Sequence, residues 1–284
     1  MYRLPTTGNP YLFAEDTALF YCANSADANV LNMNEDIALL KNFLDANKLT
    51  LNVSKTKAMH FRMHNGSQTG AITLDGEPID AVKLYKYLGL ILDDKLFWDA
   101  HISKMCSKMA SVCGVLCKLK RLLPRAVLLK IYFALAHSCL TYLPAAWGTA
   151  SKTALRQVQV MQKRCLKHVS KLPLRYPTKE LFRLHFPTIL NVDSIVRFGV
   201  CTYVYEAVNE YSHSTLQFAR TEHNYETRKR TELRPIFSKT KVGLKAMTAH
   251  GSALFNSLPN EIRRAPPNRF RIALKDFLLR TQFN

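Results

Sequence analysis

Adjacent carboxylates at Glu15 and Asp16 are the first residues whose type and spacing can do chemistry. They stand in "NPYLFAEDTALF", between two apolar runs, at the tip of a predicted β-hairpin. Two carboxylates held there can share a divalent cation, or they can simply form the polar turn that a hairpin presents to water. A second acidic pair, Asp93 and Asp94, follows a strand-like run and precedes Lys95, which reads as a solvated turn. Basic residues form the other chemically loaded group. Lys104, Lys108, Lys118, Lys120, Arg121 and Arg125 recur along one predicted helix and its exit, and Lys163, Arg164 and Lys167 on a later one. Rows of cations on helices suit the phosphates of a nucleic acid, met without regard to base sequence. Other chemistries find no support. Seven cysteines and nine histidines are scattered without metal-ligand spacing. With ten glycines in all, a phosphate-cradling P-loop is excluded.

Charge is divided along the chain. Residues 1–97 hold 9 Lys and Arg against 11 Asp and Glu, whereas residues 98–284 hold 31 against 10. The second part therefore carries a net +21, which points to a polyanionic partner or, failing that, to a solvated basic face. No basic segment followed by an apolar one opens the sequence, so no secretory signal is expected. Within the longest uncharged run, the apolar stretch Ile131 to Trp147 contains His137 and Pro144. It is shorter than the ~20 apolar residues a spanning helix needs, so it reads as a buried helix and no membrane contact is expected. Cys106, Cys113 and Cys117 share one helical face as small core hydrophobes, in a reduced, intracellular protein, nuclear or cytoplasmic.

The elements that must position these residues follow from periodicity. Two short strands flank Ala14–Glu15–Asp16. Val30, Met33, Ile37, Leu40 and Leu44 then recur every three or four residues, predicting an amphipathic helix capped near Ser25 or Asp27. "LTLNVSKTKAMHFRM" has strand character, "AITLDGEPIDAV" carries a hairpin turn at Asp75–Gly76, and "YKYLGLILDD" is a further strand. The first part thus reads as a small antiparallel sheet with a helix, open at its N-terminal side. From Trp98 onward the pattern is helical. Ile102, Met105, Met109, Val112, Cys113, Leu116, Leu119 and Leu123 mark one apolar stripe. Pro124 opens a second helix running to about Trp147, a third covers Lys152 to Val169, and a fourth 191–211. Trp98 is expected in the core and His101 on the first turn. Residues 212–240 read as a mobile linker, and two short helices around a Pro-rich turn close the chain.

Several of these pieces, in order, resemble one family. "FAEDTALF" is similar to the F/Y-A-D-D box of the reverse transcriptases of jockey-like non-long-terminal-repeat retrotransposons. "ANKLTLNVSKTKAMHF" resembles their N-x-L-x-L-N-x-x-K-T segment, and "YKYLGLILDDKLFWDAHI" the segment that begins the primer-gripping region and thumb. "ALAHSCLTYLPAAWG" and "GSALFNSLPNEIR…FRIALKDFLL" resemble the segments that trail it. The similarity runs from about residue 11 to 280.

The resemblance implies an α+β fold: a partial polymerase palm over residues 1–97, a mainly α-helical thumb and connection over 98–211, the linker, and a helical C-terminal segment over 241–284. It implies RNA-directed DNA polymerase chemistry, with Mg2+ held by three palm carboxylates, two of them at Glu15 and Asp16. Glu15 stands where the family has aspartate, and its extra methylene displaces the carboxylate; a shift of about 1 Å can cost on the order of 100-fold in rate. Only twelve residues precede Phe13, so the fingers and the upstream aspartate are expected to be missing and the chain to be inactive alone. Lys55 falls on the family lysine near the pyrophosphate path, where it would protonate the leaving group; otherwise it is an ordinary strand-end lysine. Tyr87, Leu88 and Gly89 fall on the primer-gripping turn, with Tyr87 against a sugar and Gly89 allowing close backbone approach, or else form a buried strand end. The implied partners are an RNA template, an RNA–DNA or DNA primer duplex, and a separate polypeptide carrying fingers and palm. The rival reading is a non-catalytic, basic nucleic-acid-binding remnant.

Overall fold

The computed structural model describes residues 6–22, 25–61, 70–74, 76–209, 216, 218, 232–234, 243 and 246–283. Helices and small antiparallel ladders together make an α+β chain, and it divides into two compact units, Met1–Leu96 and Phe97–Asn284. The expected linker at 212–240 lies almost wholly outside the described residues.

In the first unit, β1 (Asn9–Phe13) and β2 (Asp16–Phe20) pair in antiparallel register with Phe13 opposite Asp16. That register leaves Ala14 and Glu15 as a two-residue turn, with Ala14 at φ 51°, the sign that tight hairpin turns require. Helix α1 (Ala26–Ala46) starts at the Ser25 cap, whose hydroxyl accepts from the Ala28 amide. Val30 and Leu40 of its stripe are buried, and Met33, Ile37 and Leu44 half-buried. Val30, Met33 and Ile37 meet Ala58, Ile72, Leu74 and Ile79 in a small core. The expected hairpin at 71–82 is formed by β3 (Thr73–Leu74) and β4 (Glu77–Pro78), with Gly76 at φ 82° in its turn; Asp75 lies outside the described residues.

Three expectations for this unit need correction. The strands do not join one sheet layer: they make three separate two-stranded ladders among the described residues. "YKYLGLILDD" is not a single strand but a hairpin, β5 (Leu84–Tyr87) and β6 (Leu90–Asp93), reversed at Leu88 (φ 44°) and Gly89 (φ 83°). Two consecutive positive φ values suit a type I′ turn, and Gly takes one of them without strain. The stretch from Leu49 to Phe61 holds only one isolated bridge, Ala58 to Ala81. Its strand is pre-empted by Asn52, whose side-chain oxygen accepts from Ser54 Oγ and the Lys55 amide while its carbonyl accepts from Thr56. Such side-chain turns compete with strand pairing.

The second unit is helical. α2 (Asp99–Leu119) buries Ile102, Met105, Met109, Val112 and Leu116 and packs along α6 (Lys152–Val169), whose Ser151 cap accepts from the Ala154 amide. Cys106 and Cys113 are half-buried and Cys117 is exposed, so the expected cysteine face does not lie wholly in the core. α3 (Arg125–Ile131) starts after Pro124 and passes through a π-helical turn (Tyr132–His137) into α4 (Ser138–Thr141). It does not reach Trp147 as expected, because Pro144 drives the preceding residues out of the α region. Tyr142 is extended and Leu143 takes φ 45° before α5 (Pro144–Trp147) resumes. Helix α7 (Thr178–Glu180), with a second π turn (Leu181–His185), was not foreseen. α8 (Val192–Val208) follows where a fourth helix is expected, and among the described residues three helices rather than two close the chain: α9 (Met247–Asn256), α10 (Asn260–Arg263) and α11 (Pro267–Thr281).

α8 is central and packs against α4, α5, α6, α9 and α11. At Gly199 the packing overrides helix propensity. A β-carbon there would come within 2.5 Å of the Pro144 ring, which cannot rotate away. In an open helix Gly→Ala stabilises by about 1 kcal/mol. Here Gly199→Ala is expected to destabilise by about 1–3 kcal/mol, seen as a lower urea midpoint, because α5 and α8 must separate.

Candidate functional site

Glu15 sits in the β1–β2 turn and Asp16 begins β2, both exposed. The β5–β6 turn shares their neighbourhood. Burial raises the Tyr87 hydroxyl above its usual range, and the Asp16 charge adds to the effect. Asp16 is thus brought near Tyr87, while Leu88 is half-buried and Gly89 exposed on the same turn. Lys55 projects from the separate Asn52–Thr56 turn, exposed, and makes no ion pair with Glu15 or Asp16. Among the described residues no group of three His, Cys, Asp or Glu side chains could hold a metal ion. The tip therefore supplies two carboxylates and no third ligand, and the residues present do not make an Mg2+ site by themselves.

One residue that positions the tip has no family motif to announce it. Asp36 is 0% exposed on α1. Its carboxylate accepts from the Thr7 amide at 2.9 and 2.8 Å, the Gly8 amide at 2.8 Å, the Thr7 hydroxyl at 3.0 Å and the Tyr21 hydroxyl at 2.7 Å. Both ends of the hairpin are thereby tied to the helix. Burial alone would raise the Asp36 pKa, but the amide and hydroxyl donors outweigh it and hold it below the usual carboxylate range. The Tyr21 hydroxyl is pushed up by burial first and by Asp36 second. The signal was present: Asp36 interrupts the apolar stripe, three residues after Met33 and four before Leu40.

The basic residues separate into two kinds. Lys104, Lys108 and Lys118 are exposed, and at 3.6 residues per turn they fall within about 80° of one another on α2, over about 21 Å of axis. Arg121 is exposed at the helix exit, and Lys120 is half-buried beside His168. On α6, Arg164 is exposed and Lys163 half-buried. Burial, then the charge of Arg156 two turns earlier, lowers the Lys163 pKa, so Arg156 belongs to the same row although the sequence did not single it out. Lys104, Lys108, Lys118, Arg156, Lys163 and Arg164 make no ion pair with a described carboxylate.

Two other cations are used by the fold. Lys167 is only 7% exposed, and its ammonium donates to the Leu174 carbonyl, so it does not lie on an open surface as expected. Burial, then Lys163, lowers its pKa. The Arg125 guanidinium donates to the His185 carbonyl and lies 5.1 Å over the Phe186 ring. Trp98 is buried as expected, with its indole N–H donating to Thr149 Oγ1 at 3.0 Å.

No helix of the described residues is long and apolar enough to cross a membrane. No protein-family model and no solved structure matches the chain. Two curated proteins of Drosophila melanogaster are similar to it. The RNA-directed DNA polymerase from mobile element jockey is 26% identical over 175 residues, 60% of this chain and 19% of that protein. A protein named "Probable RNA-directed DNA polymerase from transposon BS" is 25% identical over 165 residues, 57% of this chain and 18% of that protein. The matched region spans about a fifth of either relative.

Proposed function

Because this chain is related to the RNA-directed DNA polymerases of jockey-like non-long-terminal-repeat retrotransposons, we propose that it is the late palm and thumb of such an enzyme. In this reading it grips nucleic-acid duplex through phosphates and does not transfer nucleotides by itself. The observation that carries the grip is the pair of cation rows that meet no described carboxylate, Lys104–Lys108–Lys118 on α2 and Arg156–Lys163–Arg164 on α6. A phosphate brought to them releases its counterions and needs no base contact.

Polymerase chemistry requires more than the chain's tip provides. Glu15 and Asp16 are two exposed carboxylates without a third ligand beside them among the described residues. The rest of the family's ligand set would come from polypeptide carrying fingers and upstream palm. Tyr87, Leu88 and Gly89 would then lie along the primer, close to Asp16, and Lys55 near the pyrophosphate. Primer extension by this chain with Mg2+ and deoxynucleoside triphosphates is expected to yield no product; templated extension would overturn the inactive assignment.

Binding to a labelled RNA–DNA hybrid across a salt series tests the grip. With about six phosphates neutralised, affinity is expected to fall about 1,000-fold between 50 and 200 mM salt. Lys104→Ala combined with Lys108→Ala should flatten the slope of log K against log salt by about 2 and weaken all sequences alike. A flat or undetectable response would reduce the rows to a solvated basic face.

A further inference from the structure

The α2–α6 contact holds a thiol pair that the nucleic-acid reading does not use. Cys165 of α6 is 0% exposed, and its Sγ points at the Met109 carbonyl of α2, 3.7 Å away. Cys113 stands one helical turn beyond Met109 and is half-buried at the edge of the same contact. Within α2 the Met109 carbonyl is also the acceptor four residues before the Cys113 amide, so the two cysteines flank one carbonyl, and the exposed Arg164, next to Cys165 in sequence, sets its charge beside Cys113. We propose that Cys113 and Cys165 are a peroxide-oxidisable dithiol whose closure to a disulfide pins α2 to α6.

The geometry assigns unequal roles. The neighbouring Cys165 thiol and then the Arg164 charge bring the Cys113 thiol down to about 7 against the effect of burial, whereas the Cys113 neighbour and then burial push the fully enclosed Cys165 thiol up. Cys113 is the thiol that solvent reaches and the more readily ionised of the two, so it is the attacking sulfur. Its sulfur attacks the near oxygen of a hydroperoxide, the O–O bond breaks, and the far oxygen leaves as hydroxide, or as alkoxide from an organic peroxide. Cys113 is then a sulfenic acid. Cys165 attacks that sulfur and gives up its proton, the S–O bond breaks, and water leaves. Two thiols and one hydrogen peroxide thus yield one disulfide and two waters. Dithiothreitol reverses the step by thiol–disulfide exchange. Cys22 and Cys117 are exposed, so they report oxidation that follows accessibility alone and make the internal control.

The test is limited treatment of the full chain with hydrogen peroxide, followed by alkylation and non-reducing peptide mass spectrometry. A peptide joining Cys113 to Cys165, two hydrogens lighter than the sum of its parts and lost on reduction, is the expected product. Cys117→Ser should leave it intact. Cys165→Ser should abolish it and leave Cys113 as a sulfenic acid that dimedone labels. Arg164→Gln should slow alkylation of Cys113 at pH 7 several-fold. Oxidation that falls on Cys22 and Cys117 while Cys113 and Cys165 stay alkylatable would overturn the proposal, as would a disulfide that persists in Cys165→Ser.

Discussion

Asp36→Ala is expected to release the β1–β2 hairpin from α1 and to cost on the order of 3 kcal/mol. The substitution leaves the Thr7 and Gly8 amides and the Tyr21 hydroxyl without their acceptor in a place where water does not replace it. Gly8 lies so close to the Tyr21 ring that a β-carbon added to it would come within 2.5 Å, so the two donors share one tight site. The amide signals of Thr7 and Gly8 in NMR, followed through a urea titration, check the loss. Asp36→Asn should recover part of it, because an amide oxygen still accepts but carries no charge. The pH dependence has a definite sign. The folded pKa of Asp36 is depressed, so its contribution is fully present above the ordinary aspartate value near 3.9 and is lost as pH falls through the folded value. The wild-type hairpin should weaken on acidification below about pH 4, and Asp36→Asn should show less of that slope. An unchanged urea midpoint in Asp36→Ala would mean the hairpin is held by its ladder alone.

Trp147→Ala is expected to cost about 3–5 kcal/mol in the second unit. Trp147 is completely buried, and its indole N–H donates to the Tyr142 carbonyl at 2.9 Å, closing the corner that Pro144 opens. Truncation removes the ring from the core and the indole's hydrogen bond to that carbonyl. Trp147→Phe keeps most of the apolar volume and should lose about 0.5–1.5 kcal/mol, the worth of that hydrogen bond. Urea unfolding followed by helical circular dichroism, with Trp98 as the remaining fluorophore in the alanine variant, separates the two. A loss below about 1 kcal/mol for Trp147→Ala would show that the α4–α5 corner is not held by this side chain.

Local pattern carried a good part of the fold. The stripe of α1, the long α2 and α6, the Ser25 cap, and the turns at Ala14–Glu15 and Gly76 were all legible, because each depends on residues a few positions apart. The similarity to jockey-like polymerases was legible too, from motifs in order rather than from any one of them. The strand expected after Leu49 failed for an equally local reason: Asn52 turns the chain, and its single side chain outweighs the β-branched neighbours. The extent of the helix after Pro124 was misread because the break belongs to the residues before Pro144, not to the apolar run they sit in.

By itself the sequence determined where charge gathers, which helices are amphipathic and where acidic residues cap a hairpin. Those are properties of spacing along one chain. Only the tertiary structure decided which of those side chains stay in solvent. It turned Lys167 toward the Leu174 carbonyl and Arg125 toward His185, left Lys104, Lys108 and Lys118 outward, and added Arg156 to the α6 row. It also made Asp36 the anchor of the acidic hairpin and set Cys113 against Cys165. A buried carboxylate or a thiol pair exists only where two elements distant in sequence meet. The free energy of each such group is set by the partners and the water it finds there.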